Sequence, residues 1–169
     1  MGSSISFPFD LTKSPKYDRN TDKIALRKNF YELASVYYDV ARHICPYIEW
    51  MPVTLTIAAY SCELFLKSLL FGFNIDFGKT HKLKDLFELL PKREQFYIEK
   101  NIAIENRKRD FQSCLSEQND AFVEYRYMSE AKAIVGDPVF LLAFADILKF
   151  VYEALVEESA KRHEAGTNT

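Results

Sequence analysis

Turn-forming residues are scarce in this chain: Gly occurs five times and Pro six times among 169 residues. An all-β sandwich or barrel needs a turn every few residues, so the scarcity excludes one. Cysteine is also sparse. Cys45, Cys62 and Cys114 are odd in number, far apart and never in a CxxC spacing. That excludes a disulfide framework, a zinc finger and a dithiol motif, and leaves three reduced thiols. Charge of one sign is lacking too. The formal net charge is −2, whereas a protein that grips nucleic acid mainly by its phosphates carries a basic excess or a clear basic patch. Any nucleic-acid role must therefore rest on a small local site. The chain has no Gly-rich phosphate loop, HExxH, EF-hand loop or GxSxG, the motifs that would announce the commonest chemistries. No metal ligand set and no cofactor are expected. Residues 1–16 lack a basic segment followed by an apolar core, so no signal peptide is expected there.

What is abundant is apolar. Hydrophobic residues make up 48% of the chain and aromatics 15%, enough for one domain to bury its own core without staples. The apolar residues recur at helical spacing. A first helix is expected over 22–44, with Leu26, Phe30, Leu33, Tyr37, Val40, Ala41 and Ile44 on its buried face and Asp18 or Thr21 as cap. Pro46 stops it. A second helix over 52–71 is apolar on nearly every side, which places it at the centre with neighbours all round. Its length raises the question of a membrane span. Glu63 and Lys67 lie deep inside it, however, and charges there are costly in lipid. No membrane association is expected.

A short helix over 81–90 follows, capped by Thr80. Residues 92–129 read as helical with a break near 104–106, carrying a stripe of Phe111, Leu115, Phe122 and Tyr125 with Gln118 as its polar gap. Asp137 and Pro138 open the last helix, expected to run to about 161 with a polar ridge of Asp146, Lys149, Glu153 and Glu157. The reading is an all-α, up-and-down bundle of four to five main helices plus a short one. A flexible arm over 1–20 precedes a single domain over 21–161, and a frayed tail over 162–169 follows it.

Two stretches carry a resemblance. The first is Ala58-Ala59-Tyr60-Ser61-Cys62-Glu63-Leu64-Phe65-Leu66-Lys67, continuing past a glycine-bearing loop into His81-Lys82-Leu83-Lys84-Asp85-Leu86. The second is Glu124-Tyr125-Arg126-Tyr127-Met128. In order and spacing they resemble the HEPN family (higher eukaryotes and prokaryotes nucleotide-binding). The resemblance implies a helical bundle, commonly a homodimer, that acts as a metal-independent ribonuclease, a toxin or antitoxin, an antiviral component or a non-catalytic partner of another protein. The three reduced thiols point to a cytoplasmic location.

Active members of that family carry an Arg, then four to six residues, then a His. Attack of a 2′-hydroxyl on phosphate needs a proton carrier near neutral pH and a fixed cation on the phosphate. Arg126 matches the family's Arg. Where the His would fall stand Ala131, Lys132 and Ala133. Lys132 keeps its proton at neutral pH, so it suits a phosphate contact better than a proton shuttle. The leading expectation is thus a binding or regulatory module associated with RNA or a nucleotide, in a prokaryotic toxin–antitoxin, antiviral or stress context. The alternatives are an endoribonuclease in which Arg126 works with a His from elsewhere, such as His81, and a purely structural bundle that binds a protein partner.

The candidate site residues each carry two readings. Arg126 either pairs with a buried carboxylate, Glu63 being the best candidate, or faces a cleft and meets phosphate. Glu63 and Lys67, one helical turn apart, form either a buried polar network or one wall of a ligand pocket. His81 either closes its loop or helps the next helix start receive a phosphate, beside Lys79, Lys82 and Lys84. Tyr127, Glu130 and Lys132 complete the candidate ligand-binding set. The run of Lys92, Arg93, Lys100, Arg107, Lys108 and Arg109 is interleaved with acids and reads as an exposed, salt-bridged helix face.

Overall fold

The computed structural model describes residues 23–102, 110–122 and 136–166, all helix and connecting loop, with no strand among the described residues. Helix α1 is Lys23–Ile44 and a single 3-10 turn follows at Ile48–Trp50. Helix α2 is Met51–Gly72, α3 Leu83–Leu89, α4 Lys92–Asn101, α5 Phe111–Glu117 and α6 Pro138–Gly166. The arm over 1–20, its candidate caps Asp18 and Thr21, and Arg126, Tyr127, Glu130 and Lys132 lie outside the described residues.

Helix α2 is the axis. Every residue over 61–70 is buried, and α1 and α6 pack along it as its principal neighbours. It is long and apolar enough to cross a membrane, yet 78% of its most apolar window is buried inside the bundle. Core membership therefore explains its composition. Pro52 lies in its first turn, where a missing N–H costs nothing. Gly72 is the last helical residue, and Asn74 takes the left-handed conformation at φ 59°. Ile75 then donates its N–H to the Leu70 carbonyl, closing the helix end.

Helix α1 buries its expected face only in part. Ala41 is buried as expected and Phe30 and Tyr37 pack partly buried against the core, but Ala34 and Tyr38 are driven into it as well, while Leu33 and Val40 stay 38% and 46% exposed. The physical reason is close approach. Two alanines let α1 lie tight against α2, where Ser61 Oγ donates to the Ala34 carbonyl at 2.9 Å and Ser68 Oγ to that of Arg27 at 3.1 Å.

Helix α6 starts as the sequence indicates. Asp137 accepts the Phe140 N–H at 2.9 Å as an N-cap, followed by Pro138. It continues to Gly166, past the expected end near 161. Its ridge is not simply solvated: Tyr38 donates to Asp146 at 2.6 Å, and Tyr31 donates to Glu153. Burial and the Asp146 contact push the Tyr38 hydroxyl up to about 12. Two α1 hydroxyls thus pin α6 in register across the bundle. Inside, Cys62 donates its thiol to the Leu141 carbonyl, and burial holds that thiol well above its usual range. All three cysteines are free.

Helix α3 begins later than expected. It starts at Leu83 rather than 81, with no cap from its own N-terminal side chain. Asn119, just past the end of α5, supplies the cap from across the fold. Its carbonyl accepts Leu83 N–H at 3.0 Å and its side-chain oxygen accepts Lys84 N–H at 2.9 Å. Asn119→Ala should therefore destabilise the protein by about 1 kcal/mol, in line with other capping losses, as read from the urea midpoint.

Candidate functional site

The central helix carries two charged residues among its buried positions, Glu63 and Lys67. One turn separates them, so both project from one face of α2. Lys67 Nζ donates to Glu63 Oε1 at 2.7 Å, with Glu63 only 1% exposed. A buried carboxylate is tolerated when paired and hydrogen-bonded. The second bond comes from the loop after α2: His81 Nδ1 lies 2.8 Å from the same oxygen. The other oxygen, Glu63 Oε2, is buried with no hydrogen-bond partner among the described residues.

That geometry fixes the chemistry of His81. A carboxylate on Nδ1 holds the proton there and leaves Nε2 as the nitrogen for a ligand or a proton. The His81 side chain is 52% exposed, so this nitrogen is reachable. Three aromatic rings frame the site. Phe77 lies under Lys67 Nζ at 5.4 Å, Phe122 lies 6.3 Å from the His81 ring, and Tyr60 stacks on Phe122 at 4.4 Å. The result is a half-open imidazole with a buried acid behind it, a shielded ammonium one turn along, and an aromatic wall beside it.

The loop that delivers His81 is held in detail. Gly78 adopts φ 59°, in the left-handed region, and its N–H reaches Asp76 Oδ1 at 2.9 Å. Thr80 does not cap α3. Its hydroxyl oxygen instead accepts the Lys82 N–H at 3.2 Å, a local turn. With Lys82, Leu83 and Lys84 N–H all engaged, the start of α3 is not an open anion seat, and the phosphate reading of that helix end gives way. The neighbouring cations are largely answered as well. Lys82 lies 3.7 Å from Asp120, and Lys84 lies 4.0 Å from Glu88 and donates to Ser116.

Glu63, Lys67 and His81 are thus brought together, while Arg126, Tyr127, Glu130 and Lys132 fall outside the described residues. His43 sits exposed on α1. No group of three or more His, Cys, Asp or Glu residues fit to hold a metal occurs among the described residues. Sequence reasoning missed Asn119, which clamps the loop's far end, and Phe122 as the ring beside His81. Both contacts join residues remote in the chain, and no local pattern signals them. Compared with known proteins, the chain matches the family model described as the HEPN domain over residues 28–151, from early α1 into α6. No curated protein and no solved structure matches it.

Proposed function

The chain belongs to the HEPN domain family, and from that premise we propose that it is a helical module that binds RNA or a nucleotide at the surface where His81 rests on Glu63. The observation that carries this reading is the orientation of His81 by a buried carboxylate. An imidazole that only closed a loop would not need a 1%-exposed acid and an ammonium behind it. Arg126 follows Phe122, whose ring lies beside His81, by four residues in the chain. In the proposal Arg126 holds the phosphate by charge-assisted hydrogen bonds and Lys132 adds a second cation. Tyr127 and Glu130 line the base or ribose. The module works as a cytoplasmic homodimer in a toxin–antitoxin, antiviral or stress setting.

A second reading has one observation of its own. The Glu63–His81 pair is the arrangement that prepares an imidazole for proton transfer, so His81 would replace the His absent after Arg126. One experiment separates the two. Labelled single-stranded and structured RNA are incubated with the protein in EDTA, with anisotropy for binding and gels for cleavage. Under the binding reading, wild type binds without cutting, and Arg126→Ala weakens binding by ~10-fold or more, as expected for a lost charged hydrogen bond. Under the catalytic reading, RNA is cut and His81→Ala lowers the rate by ~10²–10⁴-fold. Wild-type protein that neither binds nor cuts RNA or nucleotides overturns both.

A further inference from the structure

Away from that site, a groove of about 370 Å³ lies between α4 and α6 and is lined in part by Phe96, Tyr97 and Phe150. Its volume falls within the range of small-molecule sites, ~300–1,000 Å³. The three rings are 61%, 40% and 52% exposed. Adjoining aromatics left this open mark a binding surface. Glu94 belongs to the same lining and is only 9% exposed. Its carboxylate has no hydrogen-bond or ion-pair partner among the described residues. The contrast with its neighbour is sharp. Gln95 is as deeply buried, and its amide donates to the carbonyls of Glu88 and Leu90. A buried acid ordinarily gains a donor or an opposite charge. Glu94 has neither from the described chain.

Two more charges line the groove, Arg93 and Glu158, both exposed. They are opposite in sign and cancel to first order, so Glu94 sets the sign of the groove. Tyr97 and Phe150 also wall a neighbouring depression of about 340 Å³, where Asp146 is the one charged residue among the described lining. The hollows on either side of this ring pair are therefore both net negative.

We propose that the α4–α6 groove binds a small protonated amine with an apolar body, independently of the nucleotide site. The ammonium donates to Glu94, and the body lies against Phe96, Tyr97 and Phe150. The competing ligand classes fail on the same acid. An anion would sit beside a buried carboxylate of like charge. A neutral apolar ligand would shut Glu94 further from water and still give it no donor. An amine supplies the donor, neutralises the charge and gains from the ring faces. One ring of this wall already draws an ammonium: Lys100 Nζ lies 5.5 Å from the Phe96 centroid.

The test titrates the full chain with 2-phenylethylamine by calorimetry, with 3-phenylpropionate as an anionic probe of similar size. The amine should fill one site with a Kd on the order of 1 mM or below, within reach of so small a ligand. The carboxylate probe should bind at least ~10-fold more weakly. Glu94→Gln keeps the shape and removes the charge, so it should weaken the amine by ~10-fold or more. The same variant should not lower the urea midpoint of the free protein, because it breaks no bond within the described chain. Phe150→Ala, at an exposed position, should weaken the amine by roughly 5-fold and leave the fold intact. No saturable binding of the amine, equal binding of the two probes, or unchanged affinity in Glu94→Gln overturns the proposal. So does a concentration-dependent dimer that Phe150→Ala dissolves, which would give the groove to a second copy of the chain.

Discussion

Glu63→Ala is expected to cost the fold about 3–5 kcal/mol, the usual loss when one member of a buried ion pair is removed. The magnitude follows from what is left behind. Lys67, with its side chain 10% exposed, loses its carboxylate partner, and His81 loses its anchor in the same step. Lys67 can recover a little by leaning toward solvent beside Phe77, which places the result at the lower end of the range. The double change Glu63→Leu with Lys67→Met should behave differently. Removing both charges removes the desolvation cost along with the attraction, so its stability should lie within about 2 kcal/mol of wild type. Urea unfolding reads both variants. If single and double variants are equally unstable, the pair is not what holds this part of α2.

Phe144→Ala should be about as damaging for a purely apolar reason. Phe144 is 0% exposed and touches three other rings, with centroids at 5.6 Å to Phe111, 5.8 Å to Phe140 and 6.1 Å to Phe87. It joins α6 to α3 and α5 through one aromatic cluster. Truncation leaves a cavity that close-packed neighbours fill only in part, and such changes cost about 3–5 kcal/mol. For a chain of this size that corresponds to a melting point lower by roughly 10 °C. Phe144→Leu should lose about 1 kcal/mol, because most of the volume is kept. A Phe144→Ala melting point within 3 °C or so of wild type, by the same conversion, would mean that the cluster is not a keystone.

The axis of this fold could be read from its residues because α2 is the one segment apolar on every side. The Asp137–Pro138 start of α6 was legible because caps are local chemistry. The buried face of α1 was legible only in part. Leu33 and Val40 carry a stronger apolar signal than Ala34, yet the alanine goes inside because its small side chain permits close approach to α2. The start of α3 was misplaced for a related reason: its cap comes from Asn119, 35 residues away along the chain. In the site, the i,i+4 spacing announced the Glu63–Lys67 pair. The Arg126 partner that the sequence suggested for Glu63 lies outside the described residues, and the loop fold-back that places His81 on Glu63 leaves no periodic trace.

The pinning of α6 has a consequence for how the molecule is made. Its contacts reach back to Tyr31, Tyr38 and Cys62, all synthesised long before it. On the ribosome, the flank of α2 meant for α6 stays bare while the intervening chain is translated, for roughly 3–13 s at ordinary elongation rates. During that interval the nascent chain presents an oily stripe with nothing of its own to cover it. Trigger-type holdases should engage it there, and slowing translation between codons 73 and 138 should raise the fraction that aggregates.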